Sequence, residues 1–202
     1  MPNPPASMYS RITIVTLATA ALLFPLPVAG QIPDQLKHSI PAPFGAAQSG
    51  GNLGASVAAD AVYSVVGALM DNLGAFDTGV VKVINTTTGA FLFVLRNPHP
   101  VAGDDFGSAV AISGTRVVVG VNGSDSSATD SGRAYVYDLS SGTPASPILT
   151  LDNPSPATDD RFGVSVAISG TRIVVGALRD DTGATDAGSA YVYDVTRRPL
   201  CR

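Results

Sequence analysis

The seventeen residues from Arg161 to Ala177 (RFGVSVAISGTRIVVGA) recur almost unchanged from Asp105 to Val121 (DFGSAVAISGTRVVVGV) and, more eroded, from Asn52 to Ala68 (NLGASVAADAVYSVVGA). No other feature constrains the fold as strongly, because a chain that repeats itself must build the same substructure each time. The Phe-Gly or Leu-Gly pair that opens each copy stands at 53, 106 and 162, so the periods are 53 and 56 residues. Periods of this length belong to repeat architectures whose units stack on one another to bury a shared core.

Turn residues divide each unit. In the last copy Val164, Val166 and Ile168 alternate with Ser165, Ala167 and Ser169, the period of a strand with one apolar face and one small face. A Ser-Gly turn at 169–170, and at 113–114 in the middle copy, leads through a tight hairpin into the continuous apolar runs 172–177 and 116–121. Such a run predicts a second strand buried on both faces. A polar loop follows, of constant length, since Gly67 to Gly79, Gly120 to Gly132 and Gly176 to Gly188 are each twelve residues apart. Third strands are expected at VVKVIN, RAYVYD and SAYVYD, and fourth strands in 90–98 and 147–154, both ending at Asn-Pro.

Four short antiparallel strands per unit, apolar on both faces, describe a propeller blade covered by its neighbours. The expected fold is therefore all-β, with blades at 50–102, 103–158 and 159–202. Four, four and three strands can be counted, so the last blade, ending on an unpaired third strand near Ala190 to Asp194, lacks its fourth. Three blades do not close a ring, which takes about four to eight. An incomplete propeller is expected, an open arc with exposed blade faces and edges that invite self-association.

Composition agrees. Charged residues make up only 14% of the chain, against about 25% in average proteins. All sixteen acidic residues are Asp, and Lys occurs only at 37 and 82, so the usual exposed helix formers are nearly absent. A net charge of −4 without a basic run argues against nucleic acid as a partner. The single cysteine, Cys201, excludes an intramolecular disulfide and a Cys-based zinc site.

Ahead of the repeats, Arg11 precedes an apolar run from Ile12 to Phe24, followed by Pro25, Pro27 and small residues up to Gly30. This is the layout of a signal peptide over 1–30, cleaved to leave Gln31 first, with an uncleaved anchor as the alternative. The run is short for a membrane span, which needs about 20 apolar residues. Residues 31–49 form a linker with a candidate edge strand at 35–40.

These residues resemble the FG-GAP repeat family, the blades of the integrin α-subunit propeller and of many secreted bacterial proteins. The resemblance spans about 150 residues and rests on Phe106-Gly107 and Phe162-Gly163, on Val65-Val66-Gly67-Ala68 and Val174-Val175-Gly176-Ala177, and on Tyr-Val-Tyr at 135–137 and 191–193. In the first unit Leu53 replaces Phe and Ala61 replaces the turn glycine. The integrin-like calcium loop, Asp-x-Asp-x-Asp-Gly between first and second strands, is replaced here by Ser-Gly-Thr or Ala-Asp-Ala. The resemblance thus implies the calcium-loop-free bacterial type, a propeller used for display or adhesion.

Residues with potential chemistry are mostly acidic. Asp71, Asn72 and Asp77, then Asp125 and Asp130, then Asp180, Asp181 and Asp186 lie in the constant-length loops. Calcium favours such oxygens, but turns favour the same residues for their backbone hydrogen bonds. Asp104-Asp105 and Asp159-Asp160 precede the Phe-Gly pairs; paired carboxylates can serve glycoside hydrolysis, whereas repetition with the blade marks a structural turn. His38 and His99 are isolated, and no nucleophile elbow is present. Tyr135, Tyr137, Tyr191 and Tyr193 are placed to fill the space between blades, a sugar platform being the alternative. Asn85 and Asn122 begin glycosylation sequons. The expectation is a secreted or surface-displayed, non-catalytic module for a protein or glycan, with no catalytic, cofactor or metal residues. A fragment of a secreted propeller enzyme and a structural spacer are the alternatives.

Overall fold

The structure, a computed structural model, describes Ser39, residues 50–72 and residues 76–196. By its contacts the chain divides into 1–35 and 36–202, and all described residues belong to the second unit. The expected signal peptide and its cleavage point before Gln31, the strand at 35–40 apart from Ser39, His38 and Cys201 lie outside the described residues; Ser39 itself is exposed and in no strand.

Every described element is a strand. The first sheet comprises β1 (Leu53–Ala59), β2 (Tyr63–Ala68), β3 (Val80–Asn85) and β4 (Phe91–Arg96). The second comprises β5 (Phe106–Ser113), β6 (Arg116–Val121), β7 (Arg133–Asp138) and β8 (Leu149–Asp152). The third comprises β9 (Phe162–Ser169), β10 (Arg172–Ala177) and β11 (Ser189–Asp194). Each sheet is an antiparallel meander in chain order, and the four, four and three strands of the sequence pattern are all present.

Local chemistry explains the registers. Gly114 and Gly170, at φ 61° and 60°, open two-residue hairpins that pair Arg116 with Ser113 and Arg172 with Ser169. Each first strand starts with an irregularity. Leu53, Phe106 and Phe162 pair with Ala68, Val121 and Ala177, and the register shifts before pairing resumes. The cause is the Phe-Gly or Leu-Gly glycine, at φ 97°, 88° and 92° in Gly54, Gly107 and Gly163, a conformation open to glycine and strained for other residues.

The second sheet packs on the first and the third on the second, chiefly through β5 and β9, which lie against the first two strands of the preceding sheet. Two apolar cores fill the joints. Val65, Val83 and Leu95 meet Phe106, Val119 and Tyr137 in one; Val118, Val136 and Leu151 meet Phe162, Ile173 and Val175 in the other.

The expectation that every second strand is buried on both faces holds for β6 and fails for β10, where Arg172 and Val174 are exposed. The two strands have nearly the same sequence, and the difference is the neighbour: among the described residues β6 lies between two sheets and β10 has one on a single side. In the first sheet Lys82, 6% exposed, is buried with Val80 and Ile84 on the face turned away from the second sheet. Lys82 and Ile84 occupy the repeat positions of Tyr135 and Tyr137.

Candidate functional site

The functional surface of a blade array lies in its loops, which a rigid scaffold holds in place. The loops after the second strands share one rim with the crossings between sheets. Gly103 N–H donates to Phe76 O (3.2 Å), Gly123 N–H to Asp104 O (3.1 Å) and Arg179 N–H to Asp160 O (3.3 Å). Eleven of the sixteen aspartates of the sequence fall in these segments.

Each loop is tied internally in the same way. Asp77, Asp130 and Asp186 are left-handed, at φ 52°, 52° and 53°. Their N–H groups donate to Asn72 Oδ1 (2.7 Å), Asp125 Oδ1 (2.8 Å) and Asp181 Oδ1 (2.7 Å), five residues earlier in every copy. Gly79, Gly132 and Gly188 N–H donate to the carbonyls of Asp71, Ser124 and Asp180, each at 3.0 Å. The recurring acids therefore act as turn residues that seek local backbone partners. Among the described residues no group of three or more His, Cys or Asp side chains is gathered in a way that could hold a metal ion.

The paired acids divide their work. Asp104 and Asp160 are buried, and Asn97 and Asn153 donate from Nδ2 to their Oδ2 atoms at 2.7 Å. The same oxygens accept from Val101 and Ala157 N–H at 2.6 Å, while Asn97 and Asn153 Oδ1 accept from His99 and Ser155 N–H at 3.0 Å. Each crossing is thus clamped by an Asn and an Asp seven residues apart. Sequence reasoning saw the Asn-Pro ends and the acid pairs but missed that they bind one another; the signal was the constant spacing of seven.

Asp105 and Arg161 are left-handed, both at φ 57°. Burial holds the Asp104 carboxyl above the ordinary carboxylate range despite the donors from Val101 and Asn97. Burial, with Asp77 nearby, also raises Asp105. Asp159 is held low by the hydrogen bond from Arg161 (2.6 Å) and by the charges of Arg161 and Arg179, which also pairs with it. Burial pushes Asp180 upward, but hydrogen bonds from Thr182, Tyr191 and Ser189 outweigh it and hold the carboxyl below its usual range.

The tyrosines lie in the joints. Tyr137 is fully buried edge-on to Phe106 (6.3 Å between centroids) and donates its hydroxyl to Arg96 O of the preceding sheet at 3.0 Å. Tyr191 and Tyr193 contact Phe162 at 5.7 and 6.4 Å. Burial raises the Tyr137 phenol well above its usual value. Asn85 accepts from Thr87 and Thr88 N–H in the β3–β4 turn, and Asn122 follows β6. The rim also displays a side chain not singled out from sequence: Phe76, 70% exposed, where the other two loops carry Thr129 and Thr185.

The FG-GAP repeat model matches residues 99–137 and 154–193, each time from the crossing into the third strand. The first unit, with Leu53 and Ala61, falls outside both matches. A search of curated proteins returns no match. Among solved structures, the chain is similar to the β-propeller domain of Cps50 (Swd1) from Myceliophteria thermophila, at 13% identity and a TM-score of 0.39, over 65% of this chain and 36% of that one.

Proposed function

Since the chain carries FG-GAP repeats at 99–137 and 154–193, we propose that it is a non-catalytic binding module, exported from the cell, that meets a protein or glycan through the rim formed by its second-to-third-strand loops and crossings. The observation that carries this is the threefold repetition of one hydrogen-bonded loop, with Asn72, Asp125 and Asp181 each tying the residue five positions on. Loops held in this way lose little conformational freedom on contact, which favours binding without rearrangement. The carboxylates of Asp104, Asp125, Asp160, Asp180 and Asp181 accept backbone N–H groups and that of Asp159 pairs with Arg161 and Arg179, as suits an adhesive scaffold better than an acid–base catalyst. Phe76 supplies the exposed aromatic contact on which an interface can centre.

Export is supported by the Arg11, Ile12–Phe24 and Pro25 pattern. Intact mass of protein recovered outside the cytoplasm tests it: the mature chain begins near Gln31, and retention of 12–30 would mean an anchored protein. A glycan array and a protein-binding screen with the purified chain test the binding role. The expected ligand loses affinity with Phe76→Ser and keeps it with Val62→Ser on the opposite rim. A ligand indifferent to Phe76, or hydrolysis of any array glycan, would refute the proposal.

A further inference from the structure

Two triplets of this chain carry the Asn-x-Ser/Thr pattern at which a transferase attaches sugar to an asparagine amide, Asn85-Thr86-Thr87 and Asn122-Gly123-Ser124. The pattern by itself does not separate them. An acceptor has to present the amide together with the hydroxyl two residues on, outside the packed sheet, since the bulky product stays on the surface. The fold meets this demand at one triplet and not at the other.

Asn85 ends β3, and the chain turns at 86–88 before β4 begins at Phe91. Asn85 closes this turn itself. Its backbone carbonyl accepts Gly89 N–H at 2.9 Å, and its Oδ1 accepts Thr87 N–H (3.0 Å) and Thr88 N–H (2.9 Å). The carboxamide is thus held by its oxygen, and among the described residues its Nδ2 is neither bonded nor buried. Thr87 and Thr88 are exposed. Thr86 anchors the base of the turn: its N–H donates to Val62 O at 2.9 Å and its Oγ1–H to Asp60 O at 3.1 Å. The turn does not need an amide for its own sake. In the next repeat Asp138 stands in the place of Asn85, and its Oδ1 accepts Ser140 N–H at 3.0 Å in the same way.

The second triplet is built into a crossing. Gly123 N–H donates to Asp104 O at 3.1 Å, Ser124 N–H donates to Val121 O at 3.2 Å, and Ser124 O accepts Gly132 N–H at 3.0 Å. A Cβ on Gly123 would collide with Gly103 O, so this backbone lies directly against the segment that joins the first two sheets. Ser124, whose hydroxyl the transferase has to meet, is buried, and Asn122 Oδ1 is buried without a partner. Presenting Asn122 means pulling the loop off the segment clamped by Asp104. Presenting Asn85 means only docking the end of a hairpin.

We propose that Asn85 is an N-glycan acceptor and that Asn122 is not. The sugar donor is an oligosaccharide carried on a membrane polyprenyl diphosphate. Asn85 Nδ2 attacks the anomeric carbon of the first sugar; the C–N bond forms and the C–O bond to phosphate breaks. The polyprenyl diphosphate leaves with the bonding electron pair, and one amide proton passes to a basic group of the transferase. The proposal rests on the export reading, because donor and transferase meet the chain as it crosses a membrane. It also fits the binding reading. The β3–β4 turn and the β2–β3 loop that carries Phe76 lie at opposite ends of β3, so a glycan on Asn85 leaves the binding rim uncovered.

Production in a glycosylating eukaryotic cell tests the proposal, once with the chain's own leader and once with a foreign cleavable leader placed ahead of Gln31. Protein from the medium is weighed intact before and after treatment with a peptide N-glycosidase, which leaves an aspartate wherever a sugar-bearing asparagine stood, and its peptides are mapped. The expected product carries one glycan, with the new aspartate at position 85. Asn85→Gln and Thr87→Ala abolish the glycan, Thr87→Ser keeps it, and Asn122→Gln leaves it unchanged. Asn85→Asp is secreted without sugar at the wild-type melting temperature, since Asp138 makes the same turn, which separates loss of the acceptor from loss of folding. A glycan that appears only with the foreign leader upholds the acceptor and refutes export by the chain's own leader. Folded chain secreted bare by the foreign leader, or sugar found at Asn122, overturns the proposal.

Discussion

Gly120 and Gly176 occupy the same position in successive repeats, and one methyl group separates their fates. At Gly120 an added Cβ would lie 2.0 Å from Gly163 O and 3.0 Å from Gly163 C, both backbone atoms of the next sheet. No rotamer change relieves this contact. The third sheet must move by about 1 Å, which loosens the core around Phe162, Ile173 and Val175. Overpacking costs typically about 1–3 kcal/mol, and a backbone obstacle places Gly120→Ala at the upper end, about 3 kcal/mol.

At Gly176 the nearest atom is Ser165 Oγ at 2.3 Å, the end of an exposed side chain that can turn away. Turning it costs at most about 0.5–1.5 kcal/mol, and the loss of glycine freedom in the unfolded chain returns about 0.4–1 kcal/mol. Gly176→Ala is therefore nearly neutral. With about 2–4 °C per kcal/mol for a domain of this size, Gly120→Ala should melt about 6–12 °C below wild type and Gly176→Ala within about 2 °C of it. Calorimetry at low micromolar concentration keeps association out of the comparison. Equal losses in the two variants, or a Gly120→Ala chain as stable as wild type, would mean that Gly163 does not lie against Gly120 and that the joint is built otherwise.

Asn153→Ala removes the donor to the buried Asp160 Oδ2 and the acceptor of Ser155 N–H, and should cost about 2–3 kcal/mol, read as a shift of the urea midpoint; a loss below about 0.5 kcal/mol would show the clamp to be idle. Asp105→Asn should stabilise the protein at neutral pH. The folded pKa of Asp105 is raised, so its contribution is fully present below the unfolded value and is lost as pH rises through the folded one; the advantage of Asn should shrink as pH falls toward the ordinary carboxylate range. Melting temperatures between neutral and acid pH check this, and an advantage that grows on acidification would contradict it. Millimolar calcium should leave the melting temperature unchanged, because Asp125 and Asp181, like Asn72 in the first loop, are engaged as turn acceptors; a rise of several degrees, abolished by Asp181→Ala, would assign them to a cation instead.

Most of the local architecture was legible because it is local. Two-residue turns led by Gly114 and Gly170, alternation in 164–169 and the constant loop length are properties of adjacent residues, and repetition showed the turn twice and the loop length three times. The tyrosines could be placed between sheets for a related reason: a large amphipathic ring on a strand otherwise covered by apolar residues has nowhere else to go, and Tyr137 and Tyr193 both reach carbonyls of the sheet before them. Sheet 3 shows the limit. RVVVGV in β6 and RIVVGA in β10 are nearly one sequence, yet Val118 is fully buried and Val174 is 38% exposed. Burial belongs to the pair of surfaces and not to the strand, so only the packing of sheet on sheet decided it. The same holds for Lys82, buried in a tyrosine's place, and for the Asn153 to Asp160 clamp, whose partners are brought together only when the chain turns from one sheet into the next. A residue's own sequence neighbourhood sets its backbone conformation; what lies across from its side chain is set by residues a full repeat away, as Val118 and Val174 show.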